Sequence, residues 1–234
     1  MKAGEKRIGR TVGALLLLHL GVGLTLPFVL LDRVRGASGY LENAAASPGQ
    51  VRAAVFLLFA GSVIPIGVSI MALPVFRRDS AAMALWLFAI AVTGFSLQAV
   101  DNGALLSMLS LSEEYARAEV VRAGLFPALD LVVSSARRWA HFTSLLVAGS
   151  WILLLCALLY RSRLVPRALA GFGVVGSILQ ITGVPLLGLL GYAPETRLAM
   201  PLAPAYLALA VWLMVKGFEE RQSSRRLAER GTLE

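Results

Sequence analysis

Polar side chains that could do chemistry are concentrated in one stretch of an otherwise apolar chain. They are Gln98, Asp101 and Asn102 near the end of one apolar run, and Arg137, Arg138 and His141 near the start of the next. Ionisable residues near hydrocarbon normally pair with one another and face the interior of a helix bundle. Two interpretations follow: these residues line a ligand-binding pocket, or they are solvated in the lipid headgroup layer with Trp139 as an interfacial anchor.

The rise of an α-helix places the ionisable members of this group at one level. Counted from Ala81, Asp101 lies about 30 Å along its run. Counted back from Tyr160, His141 lies at about 29 Å and Arg138 at about 33 Å. If the two runs pack as neighbours, Asp101 can pair with Arg138 or Arg137 and accept a hydrogen bond from His141, with Gln98 one turn deeper.

The elements that must position these residues are membrane spans. The chain of 234 residues is 57% hydrophobic and 15% charged, with a mean hydropathy of +0.73, whereas soluble domains are about 45–50% apolar and about 25% charged. Its net charge is +8, but Arg and Lys cluster at the ends of apolar runs, which is typical of membrane topology and not of a nucleic-acid partner.

The pattern predicts an all-α, polytopic membrane protein with six transmembrane helices. The predicted spans cover residues 12–31, 53–76, 81–111, 131–160, 168–190 and 198–217, so one domain, 1–218, precedes a charged tail, 219–234. With both termini cytoplasmic (N-in/C-in), 14 of the 22 Lys and Arg residues fall on the cytoplasmic side and 8 outside, as the distribution of positive charge in membrane proteins favours.

The third and fourth runs are longer than a bilayer requires, because about 30 helical residues span about 45 Å against a hydrocarbon core of about 30 Å. We therefore expect both helices to project on the outer side. Between them, residues 112–126 predict a short amphipathic connector, with Ser110 and Glu113 as a capping box at its start.

Other motifs have structural explanations. His19, alone on an apolar helix, predicts a hydrogen bond to a neighbouring span, and it lies too far from His141 along the membrane normal to share a haem. The glycines of Gly171–Gly176 match a dinucleotide fingerprint in letters only, because they open a membrane helix. Gly9 and Gly13 predict close helix packing, and Gln180 predicts an interhelical hydrogen bond or a ligand contact.

Signatures of catalysis and of metal binding are not found in the sequence. Neither Ala-Gly-Ser motif, ending at Ser62 and Ser150, has the frame of a serine hydrolase, and no zinc-ligand spacing or phosphate-binding loop occurs. Cys156 is the only cysteine, so no intramolecular disulfide is possible. We expect no catalytic residue, no metal and no cofactor, although enzymatic activity stays open.

Several short segments resemble one family of bacterial membrane proteins. They are Leu164-Val165-Pro166-Arg167, Trp212 to Phe218, Leu111 to Tyr115, and Trp139-Ala140. The chain is similar at these points to the family called domain of unknown function 4386 (DUF4386), and the resemblance covers nearly the whole chain to Phe218. It implies six spans. The family has no established activity, so the resemblance implies no catalytic residue.

These observations favour a multi-pass protein of the bacterial cytoplasmic (inner) membrane without enzymatic activity. We expect it to bind a lipid or small amphiphile in an outer-leaflet pocket between spans three and four, or to act as an accessory subunit to a membrane protein partner or within a homo-oligomer. The alternatives are a small-molecule transporter or channel, and an enzyme that modifies outer-leaflet lipids.

Overall fold

The computed structural model describes residues 2–25, 40–118 and 124–219, and these residues form helices joined by short turns. Six helices are long and apolar enough to cross a membrane. We number these spans in chain order: Lys2–Thr25, Pro48–Phe76, Ala81–Arg117, Phe126–Ser162, Arg167–Leu189 and Leu202–Lys216. The chain is therefore a multi-pass helical membrane protein.

The outer surface of the bundle shows which solvent the fold requires. Large apolar side chains point away from the protein on every span; Phe56 is 78% exposed and Trp86 is 64% exposed. In water such a continuous apolar surface would be a severe liability, whereas lipid chains solvate it.

The span boundaries differ from the predicted ones mainly at the ends. The first helix begins at Lys2, ten residues before the predicted span, and its predicted end at residue 31 lies outside the described residues.

The predicted connector 112–126 is wrong in its first half, because residues 112–117 continue the third span. Ser110 is consequently inside a helix and caps nothing. Of the predicted tail, the structure describes Glu219, whose backbone N–H donates to the Leu164 carbonyl.

The fifth span contains one wide turn. Residues Thr182–Leu186 form a π-helical turn around Pro185. Proline has no N–H to donate and its ring collides with the carbonyl four residues earlier, so an extra residue in the turn relieves both problems. A 3₁₀ turn, Thr196–Ala199, then leads into the sixth span.

The six spans form a closed ring in chain order. Each packs against the next, and the first packs against the sixth along most of its length. At the end of the ring that contains Phe76 and Arg163, the interior is filled by large apolar side chains such as Leu87, Leu158 and Leu213. We call this the packed half and the other the Asp101 half.

One buried hydrogen bond crosses the packed half. The indole Nε1–H of Trp151 donates to Ser69 Oγ at 3.1 Å, and Ser69 Oγ lies 2.7 Å from the Pro65 carbonyl of its own helix. Both residues are at most 2% exposed. The bond links the second span to the fourth, which are not neighbours in chain order.

Replacing Ser69 with alanine should lower the free energy of unfolding by about 1–3 kcal/mol, because it leaves the Trp151 N–H buried without an acceptor. The matched control is Ser96→Ala, which removes an exposed hydroxyl bonded only to Val92 of its own helix and should change little. Unfolding by SDS titration in mixed micelles measures both. Equal losses in the two variants would contradict a stabilising role for the Trp151–Ser69 bond.

Candidate functional site

A cavity of about 600 Å³ occupies the Asp101 half of the ring, and all six spans contribute to its wall. Small inward-facing residues leave the space open: Gly61, Ala91, Gly94, Ala148 and Ala203 all line it. The packed half contains larger buried side chains, such as Phe76, Leu87 and Leu158. The difference in side-chain size thus leaves one half hollow and the other solid.

Asp101 of the third span is the most deeply buried charged residue at this cavity. It is 1% exposed, and its Oδ2 lies 3.1 Å from Nδ1 of His141 on the fourth span. A carboxylate oxygen accepts and does not donate, so the His141 Nδ1 carries the hydrogen of this bond. Asp101 is therefore bonded inside the bundle and is not simply solvated by the headgroup layer.

Arg137 faces the other oxygen of the same carboxyl group. Its Nε lies 3.8 Å from Asp101 Oδ1, near enough for an ion pair but too far for a hydrogen bond. Both atoms are fully buried and neither has a hydrogen-bond partner among the described residues. A charged donor and a charged acceptor thus stand opposite each other at the cavity wall with their hydrogen-bonding capacity unused.

Tyr40, on the short helix Tyr40–Asn43, lies close to this pair. Burial raises the pKa of its phenol to about 12, and the Arg137 guanidinium opposes the rise. The hydroxyl is therefore neutral near pH 7, and it lies 3.5 Å from the Leu105 carbonyl. Tyr40 is therefore uncharged and does not add a second negative charge near Arg137.

Gln98 and Asn102 form a chain of hydrogen bonds beside the charged pair. Gln98 Nε2 donates to Asn102 Oδ1 at 3.0 Å, and Asn102 Nδ2 donates to the Val55 carbonyl at 3.3 Å. Gln98 lines the cavity, whereas Asn102 is buried between the second and third spans outside its lining. Asn102 therefore ties two spans together and supports the wall behind Gln98.

Arg138 does not line the cavity. It is exposed, while Arg137 and His141 share the inward face because they are four residues apart on one helix. The structure thus distinguishes the two arginines that the sequence offers as partners of Asp101.

Three further polar residues line the cavity outside the predicted site. Ser144, 7% exposed, lies one turn from His141 and makes no hydrogen bond to a described residue. His19 does bond a neighbouring span as predicted, through Nδ1 to Tyr206 Oη at 2.9 Å, but it also lines the cavity. Gln180 lines it too, and its Oε1 makes no hydrogen bond to the described residues, so an interhelical bond through that oxygen is not formed.

The cavity-facing side of the fourth span has a recognisable residue spacing in the sequence. Arg137, His141, Ser144, Ala148 and Trp151 recur at intervals of four and three residues, which places them on one side of a helix. Polar and small residues at core spacing predict an inward face that encloses a space.

The arrangement suits hydrogen bonding better than metal binding. Among the described residues, no three His, Cys, Asp or Glu side chains come close enough together to hold a metal ion. Of the three such side chains at the cavity, only Asp101 and His141 are in contact, with His19 at the far end. Arg137 adds a positive charge beside the contacting pair, which would repel a cation.

Comparisons with known proteins identify a family and no closer relative. No curated protein and no solved structure matches the chain. The family model described as a domain of unknown function, DUF4386, matches residues 11–217. This match covers the first span from Thr11 onward, the other five spans and every cavity residue named above, so the chain belongs to the DUF4386 family.

Proposed function

We propose that this protein binds a small, neutral amphiphile inside its ring of helices, without chemically changing it. The polar group of the ligand lies between Asp101 and Arg137, and its apolar part extends along the cavity. The observation that carries the proposal is the facing pair of unused hydrogen-bonding atoms, Asp101 Oδ1 and Arg137 Nε. Buried polar atoms are normally satisfied. A small shift of the Arg137 side chain, which is 19% exposed, would admit a ligand group that satisfies both.

Asp101 and Arg137 together limit the chemistry of the ligand's polar group. A hydroxyl can donate to Asp101 Oδ1 and accept from Arg137 Nε–H at the same time, and a primary amide can do so as well. A fatty-acid carboxylate would pair with Arg137 but would be repelled by Asp101. A neutral headgroup with both a donor and an acceptor therefore fits best.

The size of the cavity limits the apolar part. About 600 Å³ is within the range of about 300–1,000 Å³ for small-molecule pockets. At about 30 Å³ for each non-hydrogen atom, the share of a water molecule in the liquid, it holds about 20 such atoms. This favours a single-chain amphiphile over a complete two-chain phospholipid.

The distribution of positive charge supports an orientation in the cytoplasmic membrane with both termini cytoplasmic. The packed end of the ring is flanked by Arg77, Arg78, Arg161, Arg163 and Arg167, and cytoplasmic ends of spans carry such an excess. The cavity then lies in the outer half of the membrane. The third and fourth spans, 37 residues or about 55 Å each, project on that outer side.

The competing functions have weaker support. A transporter or channel needs a polar path through the membrane, and the interior of the packed half is filled with apolar side chains. A lipid-modifying enzyme could use Ser144 beside the His141–Asp101 pair. The fourth span is continuous helix there, however, so its backbone N–H groups are engaged within the helix and form no oxyanion hole.

Monoolein, a neutral single-chain amphiphile with two hydroxyls, tests the proposal. It has a few more non-hydrogen atoms than the cavity holds, so the end of its chain extends beyond the cavity into the lipid. We expect wild type in nanodiscs to bind it at one molecule per chain, and Arg137→Gln to weaken the affinity at least tenfold, because a hydrogen bond to a charged group contributes about 1.5–3 kcal/mol. Native mass spectrometry measures the retained ligand and equilibrium binding of radiolabelled monoolein measures the affinity.

The matched control is Arg138→Gln, which removes the same charge from the exposed neighbour and should bind as wild type does. Both variants must retain the elution profile of wild type in size-exclusion chromatography. The proposal fails if the two variants bind monoolein equally, or if wild type retains no more of it than an unrelated six-span protein does.

A further inference from the structure

The deep end of the cavity contains a second set of polar groups, far from Asp101. His19 of the first span lines the cavity floor, where its Nδ1 lies 2.9 Å from Tyr206 Oη and its ring centroid 6.3 Å from that of Trp151. The only hydrogen-bond partner of the Tyr206 hydroxyl among the described residues is this imidazole.

Burial favours one direction for the His19–Tyr206 bond. Either direction leaves one donor hydrogen without a partner among the described residues: that of the Tyr206 hydroxyl if His19 donates from Nδ1, or that of His19 Nε2 if Tyr206 donates. Tyr206 is 5% exposed whereas His19 is partly exposed at the cavity, so the unsatisfied donor costs less on His19 and Tyr206 is the donor. The Nε2–H of His19 makes no hydrogen bond to a described residue, so His19 offers one unused donor at the cavity floor.

Gln180 of the fifth span adds an unused amide at a similar depth. Its Oε1 is buried without a partner and lies across Gly149, where a Cβ on that glycine would collide with it. The π-helical turn begins two residues later, at Thr182; such turns widen a helix locally and occur often at functional sites. Gly149 provides the space that holds this amide against the cavity wall.

The two polar ends of the cavity are separated along the fourth span. Gly149, which contacts Gln180, is eight residues from His141, which corresponds to about 12 Å of helix. Trp151, beside His19, is ten residues from His141, or about 15 Å. The intervening wall contains apolar residues such as Leu145 and Val147.

We propose that His19 and Gln180 form a second polar subsite, which binds an oxygen atom in the middle of the ligand's chain. The inference rests on the proposed amphiphile binding and specifies the class of ligand: a single-chain amphiphile with a neutral headgroup and a hydroxyl or carbonyl about 12 Å further along. The headgroup oxygen bonds Asp101 and Arg137, and the mid-chain oxygen accepts from His19 Nε2–H and from the Gln180 amide Nε2–H.

Two probes that differ in one group test the subsite: stearyl alcohol, and the same alcohol with a second hydroxyl near mid-chain. Each is titrated against radiolabelled monoolein bound to the full-length protein in nanodiscs. We expect the diol to bind wild type about tenfold more tightly, since two added neutral hydrogen bonds contribute about 0.5–1.5 kcal/mol each. In His19→Phe and in Gln180→Leu this preference should fall, while the affinity for stearyl alcohol stays near that of wild type.

Controls separate this subsite from the headgroup site. Arg137→Gln should weaken both probes and keep the ratio between them, and Thr93→Val, which changes an exposed residue bonded to its own helix, should change neither. If wild type binds the two alcohols equally, the subsite is refuted while amphiphile binding stands. If wild type binds monoolein and neither alcohol, the subsite is likewise refuted. If nothing binds, both proposals are overturned.

Discussion

Replacing Asp101 with alanine should abolish ligand retention and lower the free energy of unfolding by about 1–3 kcal/mol. The substitution leaves the Arg137 Nε, already buried and without a hydrogen bond, with no opposite charge nearby, and it removes the acceptor of the His141 Nδ1–H. Uncompensated buried charge and unsatisfied donors have this cost. Because the Arg137 side chain is still 19% exposed, the loss should stay below that of a fully enclosed ion pair.

Adding Arg137→Met to Asp101→Ala separates the effect of Asp101 on stability from its effect on ligand binding. Asp101→Ala combined with Arg137→Met removes both charges, so the double variant should recover most of the lost unfolding free energy. It should still retain no monoolein, because neither hydrogen-bonding partner of the headgroup is present. SDS titration measures the stability and native mass spectrometry the ligand.

The matched control for the double variant is Asp101→Ala with Arg138→Gln, which removes the exposed neighbouring charge. It should not recover the unfolding free energy lost in Asp101→Ala. A single Asp101→Ala variant as stable as wild type would show that the carboxyl group is not electrostatically coupled to Arg137. Retention of monoolein by the double variant would place the headgroup elsewhere in the cavity.

The heights of the charged residues along the membrane normal could be predicted from the sequence, because the rise per residue is the same in every helical span. Counting residues placed Asp101 and His141 at one height, and the 3.1 Å contact between them agrees. The choice between Arg137 and Arg138 depends on how the fourth span is rotated about its axis. That rotation is set by packing against the third span, and it was readable only from the spacing of the whole inward face.

The sequence analysis expected a pocket between spans three and four, whereas residues of all six spans line the cavity. Its extent could not be predicted, because it depends on contacts between spans far apart in the chain. The ring closes only where the first span meets the sixth, and a hollow forms only if small residues of several spans face inward at one level. The choice between the two roles predicted for Gln180 depends on the same kind of contact. A single amide near the middle of a membrane usually bonds another helix, and nothing in the fifth span reveals that Gly149 opposes it.

The predicted connector failed for a local reason. Ser110 and Glu113 have the spacing of a capping box, but such a motif caps a helix only where the preceding chain is not helical. Ser112, fully buried, accepts from the Ala45 N–H and donates to the Leu41 carbonyl. These bonds hold the extended third span against the turn before the second, so the helix continues past the capping motif.

Replacing Gly13 with alanine should separate the first span from the sixth and lower the free energy of unfolding by about 1–3 kcal/mol. A Cβ at Gly13 would lie 2.7 Å from the Ala210 carbonyl oxygen and 2.8 Å from the Leu213 carbonyl carbon, and nearer still to the Met214 nitrogen. All three are backbone atoms of the sixth span, so no side chain can move aside. Overpacking of this kind has a cost of this size.

The same helix supplies the matched control. Gly21 has no heavy atom within 4 Å of an added Cβ, so Gly21→Ala should be neutral or stabilising by up to about 1 kcal/mol, since alanine favours helix over glycine. Unfolding by SDS titration compares the two variants. Because the first and sixth spans close the ring, Gly13→Ala should also weaken monoolein binding, although Gly13 does not line the cavity. Equal stability of the two variants would mean that the spans can move apart without cost, and the ring would then not depend on this contact.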